Sequence, residues 1–179
     1  ERAVYRRRAA QPPQEGAPQL RPKHLSFAMD VSGSMYYFNG YDRRLERCLQ
    51  SAVMLFEALD GFEARYRFSM TGHSGETPRE LFVPHGEPPA HEKARLRVVE
   101  RMVAHSQFCA SGDHTLEAAE AAIAAAAKDT DADERFVFLF SDANLRRYGI
   151  PPAKLSKVLT SEPSVHAHAI FLSSLGGEA

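Results

Sequence analysis

The sequence predicts an α/β domain with a doubly wound, mostly parallel sheet, one antiparallel edge strand and helices on both faces. Three observations lead there. Leu25-Ser26-Phe27-Ala28-Met29 and Phe136-Val137-Phe138-Leu139-Phe140 are short apolar runs that each stop at an acidic, hydroxyl-bearing loop, as strands buried on both faces do. Between them lie stretches whose apolar residues recur at helical spacing. Finally, the strand-like segments 64–70 and 80–83 are joined by a link too short for a helical crossover, which makes that pair antiparallel.

Taken in order, residues 1–22 carry Arg6-Arg7-Arg8 and then a Gln/Pro/Gly-rich stretch. That composition buries too little apolar surface to offset its ordering entropy, so it reads as a flexible linker or tail. Residues 23–179 form the domain. The first strand ends at Asp30, and Tyr36-Tyr37-Phe38-Asn39-Gly40-Tyr41 is expected as a loop. Asp42 then caps a helix marked by Leu45, Leu49, Ala52, Val53, Phe56 and Leu59, which Asp60-Gly61 ends. Ala64–Met70 is the second strand, Thr71 to Gly75 its turn, and 80–83 the antiparallel edge. After Pro88-Pro89 a second helix is marked by Leu96, Val99, Met102 and Val103. The loop Ser111 to Thr115 feeds an Ala-rich helix able to lie close against a sheet, and Arg135–Phe140 is the fourth strand. Pro151-Pro152 open a short helix to Leu159, and 165–172 is the last strand.

A length of 179 residues suits one domain with a continuous core. Its 22 Lys+Arg against 23 Asp+Glu leave a net charge of -1, so no global field recruits nucleic acid or an anionic membrane. Apolar runs stop well short of a bilayer span of ~20 residues. Cys48 and Cys109 sit near apolar residues in helical stretches, which reads as two reduced core thiols and an intracellular compartment. The eight histidines show no paired zinc spacing beyond His166 and His168 on one strand face, and read as solvent or core residues.

The chemistry concentrates in Asp30-Val31-Ser32-Gly33-Ser34. A carboxylate and two hydroxyls are hard oxygen donors, and Gly33 lets the backbone curl so that both hydroxyls face one point. Such a set suits Mg²⁺, with Mn²⁺ or Ca²⁺ as substitutes. Two other loops bring hard oxygens to the same end of the expected sheet, Thr115 and Asp142.

This arrangement resembles the von Willebrand factor A domain, whose metal-ion-dependent adhesion site combines an Asp-x-Ser-x-Ser loop with a Thr and an Asp from two further loops. The resemblance runs from Leu25 to about Leu172. It implies that Ser32, Ser34 and Thr115 hold Mg²⁺, that Asp30 and Asp142 act directly or through water, and that one position stays open for a carboxylate of a partner protein. Tyr36, Tyr37 and Tyr41, with His114, are expected to form a partner-contacting rim. The sequence departs from the family where Ala143-Asn144 follow the last Asp in place of Gly, and in lacking a sixth strand and closing helix, so the domain reads as truncated. Segments 141–145 and 169–176 are similar, more specifically, to the carboxy-terminal domain of mitochondrial AAA+ ATPases that join dynein- or midasin-like modules to such a domain. That implies a mitochondrial setting, with the acidic partner either a client or the chain's own ATPase ring. No Gly-x-x-x-x-Gly-Lys loop is present, so ATP chemistry is expected outside this chain. The rival reading is a metal-dependent phosphoester hydrolase, disfavoured because His114 alone is available as a base.

Overall fold

In the computed structural model, which describes residues 21–110, 112, 114–142, 145 and 149–172, five strands form one sheet in the order β3-β2-β1-β4-β5. β1 (Lys23–Asp30) is central. It pairs in parallel with β2 (Tyr66–His73) on one side and β4 (Arg135–Ser141) on the other. β5 (His166–Phe171) runs parallel to β4, and β3 (Glu80–Val83) closes the opposite edge antiparallel to β2. The expected mostly parallel sheet with one antiparallel edge is therefore what the chain forms.

Strand alternation divides the core in two. Phe27 and Met29 of β1 face one cluster, with Leu45, Cys48, Ala52 and Phe56 of α3 (Arg44–Leu59) and Val98 and Met102 of α4 (Glu92–Phe108). Ala28 faces the other, with Ala119, Ala122 and Ala126 of α5 (Thr115–Ala127) and Leu155 and Val158 of α6 (Pro152–Leu159). The small residues of α5 bring its axis close to Val137 and Leu139, which are both fully buried. Helices thus cover both faces. From β1 the chain first builds outward through β2 and β3, then returns to lay β4 on the other side of β1. That reversal makes the carboxyl ends of β1 and β4 the topological switch point, where ligands bind in doubly wound sheets.

Several boundaries differ from expectation for identifiable reasons. The segment expected as a loop after Met35 is helical, as α1 (Gly33–Tyr37) and α2 (Asn39–Asp42). Fully buried Met35 anchors it, with its amide bonded to the Ser32 carbonyl at 3.0 Å. Asp42 does cap α3, accepting from the Arg44 amide at 3.1 Å, but left-handed Arg43 (φ 56°) delays the helix start to Arg44. Thr71, Gly72 and His73 extend β2 and are not a turn. Gly72 is needed there because a Cβ would stand 2.5 Å from the Phe82 ring and 2.6 Å from Val31. The turn begins at Ser74, whose amide bonds the Thr77 carbonyl. In α4 the buried stripe is Val98, Met102 and Ser106, while Leu96 points to solvent.

The expected linker lies largely outside the described residues. At its end, the Arg21 amide donates to Asp133 Oδ2 at 3.0 Å. Ala143, Asn144 and residues 173–179 also lie outside them. Both cysteines are free and buried. No helix among the described residues is long and apolar enough to cross a membrane.

Candidate metal centre

The loop after β1 folds around the Asp30 carboxylate. Oδ1 accepts the Ser32 amide at 3.0 Å and the Ser32 hydroxyl at 2.7 Å. This turn directs both serines inward, with the two hydroxyl oxygens 3.0 Å apart. Ser34 then donates to Asp142 Oδ2 at 3.5 Å, and the Asp142 amide donates to Asp30 Oδ2 at 3.4 Å. The carboxyl ends of β1 and β4 are in this way tied through four of the five expected ligands. All four side chains are nearly inaccessible to solvent.

Thr115, the fifth, is the first residue of α5 and is buried. Since α5 leads into the start of β4, its beginning lies at the carboxyl end of the sheet. A set of contacts on Ser74, which follows β2 directly, fixes the approach to it. His114 Nδ1 donates to the Ser74 carbonyl at 2.7 Å, and His105 Nε2 lies 3.0 Å from the Ser74 hydroxyl. Gly112 approaches Gly75 so closely that a Cβ would stand 2.6 Å from its Cα. Two glycines facing each other allow these loops to touch.

Beneath the loop, both thiols serve as donors. Cys48 Sγ donates to the Asp30 carbonyl at 3.5 Å and Cys109 Sγ to the Val31 carbonyl at 3.4 Å. They hold the backbone from which the ligands project. Burial, and secondarily the negative charge of Asp30, push the Cys48 thiol far above the usual range, so it stays a protonated donor. His73, opposite Asp30 in the ladder, is buried with Nε2 3.3 Å from the Phe140 carbonyl.

Sequence patterning misses one charge. Arg44, at the start of α3, donates from Nη1 to Asp142 Oδ2 at 2.6 Å while its Nε and Nη2 grip Asp42. Its guanidinium also stacks 5.1 Å from the Phe38 ring. The hydrogen bond to Asp42 raises the Arg44 pKa, and Arg44 in turn holds Asp42 below the ordinary carboxylate value. Arg44 thus divides one positive charge between two carboxylates, and Asp30 adds a third. A buried group of this composition, with the Ser32 and Ser34 hydroxyls turned toward the same two carboxylates, suits a small hard dication. Of the expected rim, Tyr37 and Tyr41 are well exposed beside this loop and Tyr36 is half-exposed, whereas the His114 ring is half-buried against Ser74.

No protein-family model matches the chain. Over all 179 residues, however, it is 49% identical to von Willebrand factor A domain-containing protein 8 of Mus musculus. The chain is a von Willebrand factor A domain. It spans 9% of that relative's length. Among solved structures, the D319A mutant of the PilB minor pilin from Streptococcus sanguinis aligns at a TM-score of 0.49 and 11% identity, covering 73% of this chain and 31% of that one. The open conformation of the pilus adhesin SpaC from Lactobacillus rhamnosus GG aligns at 0.45 and 17%, covering 69% and 15%.

Proposed function

We propose that this von Willebrand factor A domain is a metal-ion-dependent protein-binding module, with Mg²⁺ held by Ser32, Ser34 and Thr115 and by Asp30 and Asp142 directly or through water. The observation that carries the reading is the convergence of Asp30, Ser32, Ser34 and Asp142, from loops 108 to 112 residues apart, within hydrogen-bonding distance. Neutral hydroxyl ligands leave much of the cation's charge uncompensated, and that charge attracts a carboxylate from a partner. Exposed Tyr37 and Tyr41 supply an aromatic rim around such a contact. The chain's part is to bind, not to catalyse. The partner is either a client protein with an acidic residue or the ATPase ring of a longer mitochondrial AAA+ protein, in which this domain would couple binding to ATP-driven movement.

The test is affinity capture from a mitochondrial extract by immobilised chain in Mg²⁺ and in EDTA, alongside Ser32→Ala. Partners retained only by the wild type in Mg²⁺ support the reading. An identical set under all three conditions overturns it.

A further inference from the structure

At the other end of the sheet, three residues from distant segments meet. His24 lies near the start of β1, His85 in the turn after β3, and Asp129 just beyond α5. His24 Nδ1 is 2.8 Å and His85 Nε2 is 3.4 Å from the same oxygen, Asp129 Oδ2. The two imidazoles stack with centroids 4.0 Å apart. All three ligand atoms lie within 4.8 Å of one another.

We propose that His24, His85 and Asp129 form a second divalent-cation site, distinct from the hard-oxygen centre and suited to a borderline transition ion such as Zn²⁺. Two imidazoles and a carboxylate are a recognised zinc donor set, with a fourth position left for solvent. Zinc bonds of about 2.0–2.2 Å in a tetrahedron place neighbouring ligand atoms about 3.3 Å apart. The distances of 2.8 and 3.4 Å to Asp129 Oδ2 are close to that spacing. Nearly parallel rings do not aim both lone pairs at one point, so one ring must turn. His85, the most exposed of the three side chains, is free of strand constraints and does so.

The surroundings prepare the site. Asp129 Oδ1 accepts the Asp131 amide at 3.0 Å and the Asp129 carbonyl accepts Arg135 Nε at 2.7 Å, which turns Oδ2 toward the rings. Gly86, with φ 76°, shapes the turn closed by the Glu87 amide on the Pro84 carbonyl, and this places His85 at its corner. Burial first, and then the neighbouring His24, hold the His85 imidazole below its ordinary pKa and so keep it neutral, as a metal ligand must be. The cation takes the place of the ring protons that now face Asp129. It would staple the start of β1, the turn after β3 and the end of α5 in one contact.

The experiment is a Zn²⁺ titration of the chelator-stripped chain against a competing chromophoric indicator, with thermal unfolding in parallel and a Ser32→Ala background to disable the other centre. His85→Ala, on an exposed turn, and Asp129→Asn are compared with that background. We expect one equivalent of Zn²⁺ bound, a raised Tm with Zn²⁺ but not with Mg²⁺, and an affinity loss of about tenfold or more in each variant. Because Ser32→Ala is already present, these results are independent of the hard-oxygen centre. Absence of Zn²⁺ binding, or binding unaltered by His85→Ala and Asp129→Asn, overturns the proposal.

Discussion

The two ends of the sheet gather charge in opposite ways. At the carboxyl end, Asp42 and Asp142 share the guanidinium of Arg44, and Asp30 joins them through the Asp142 amide and the hydroxyls of Ser32 and Ser34. At the amino end, one carboxylate, Asp129, is shared by two imidazoles, those of His24 and His85. The first is an excess of hard anionic oxygen that a small dication would complete. The second is a mixed nitrogen and oxygen donor set that a softer cation would suit. The two ends differ because the carboxyl ends of the parallel strands face loops that open helices, while their amino ends face the turns where helices and the edge strand finish.

Removing Arg44 should disturb this comparison most. Arg44→Met leaves Asp42 and Asp142 without their shared cation in a mostly buried site. Loss of one partner from such a group costs about 3–5 kcal/mol. Urea unfolding should show this loss in EDTA and a smaller one in saturating Mg²⁺, because the ion supplies charge to Asp142. An equal loss in both conditions would separate Arg44 from the metal centre.

Gly72→Val comes next. Its added side chain meets Phe82 and Val31, whose neighbour Ser32 shapes the metal loop. Overpacking of this kind costs about 1–3 kcal/mol. Mg²⁺ affinity should fall with it, whereas the cluster at His24 should be untouched, and comparing both bindings in one variant checks the independence of the two ends.

Acid should act more mildly. The pKa of Asp42 is lowered chiefly by its hydrogen bond from Arg44. A depressed folded-state pKa contributes stability that is fully present above the unfolded value of about 4 and is lost as pH falls through the folded value. Stability measured from pH 6 to pH 2 should therefore drop below about pH 4, and the part due to Asp42 should be missing in Arg44→Met.

Tyr41→Ala should have the smallest effect on the fold. At 89% exposure its loss should change stability by less than about 0.5 kcal/mol. It should still weaken partner capture if the aromatic rim is used. Undiminished capture would confine the contact to the ion.

The sequence made the carboxyl end legible and left the amino end hidden, for a physical reason. Asp30, Ser32 and Ser34 lie on one short loop, a buried strand announces the place of Asp142, and Thr115 opens the Ala-rich helix. His24, His85 and Asp129 carry no mutual spacing and meet only because β3 turns back beside β2 and α5 ends beside β1. Histidine spacing along the chain therefore does not reveal a cluster that only folding assembles. Arg44 was missed because a basic residue opening a helix resembles any solvated side chain until Asp142 arrives from across the sheet. Strand ends misread for a related reason: Gly72 looks like a turn residue, and its need for closeness to Phe82 is visible only in three dimensions.

The most direct test of the account is calorimetric titration of Mg²⁺ into the wild-type chain and into Ser32→Ala, with urea unfolding of both in EDTA. Ser32 bridges Asp30 and Ser34 without contributing to the apolar core, so the two proteins should be similarly stable while the wild type binds one ion and the variant loses that binding. Equal Mg²⁺ binding by both proteins would contradict the assignment of this loop as the metal centre.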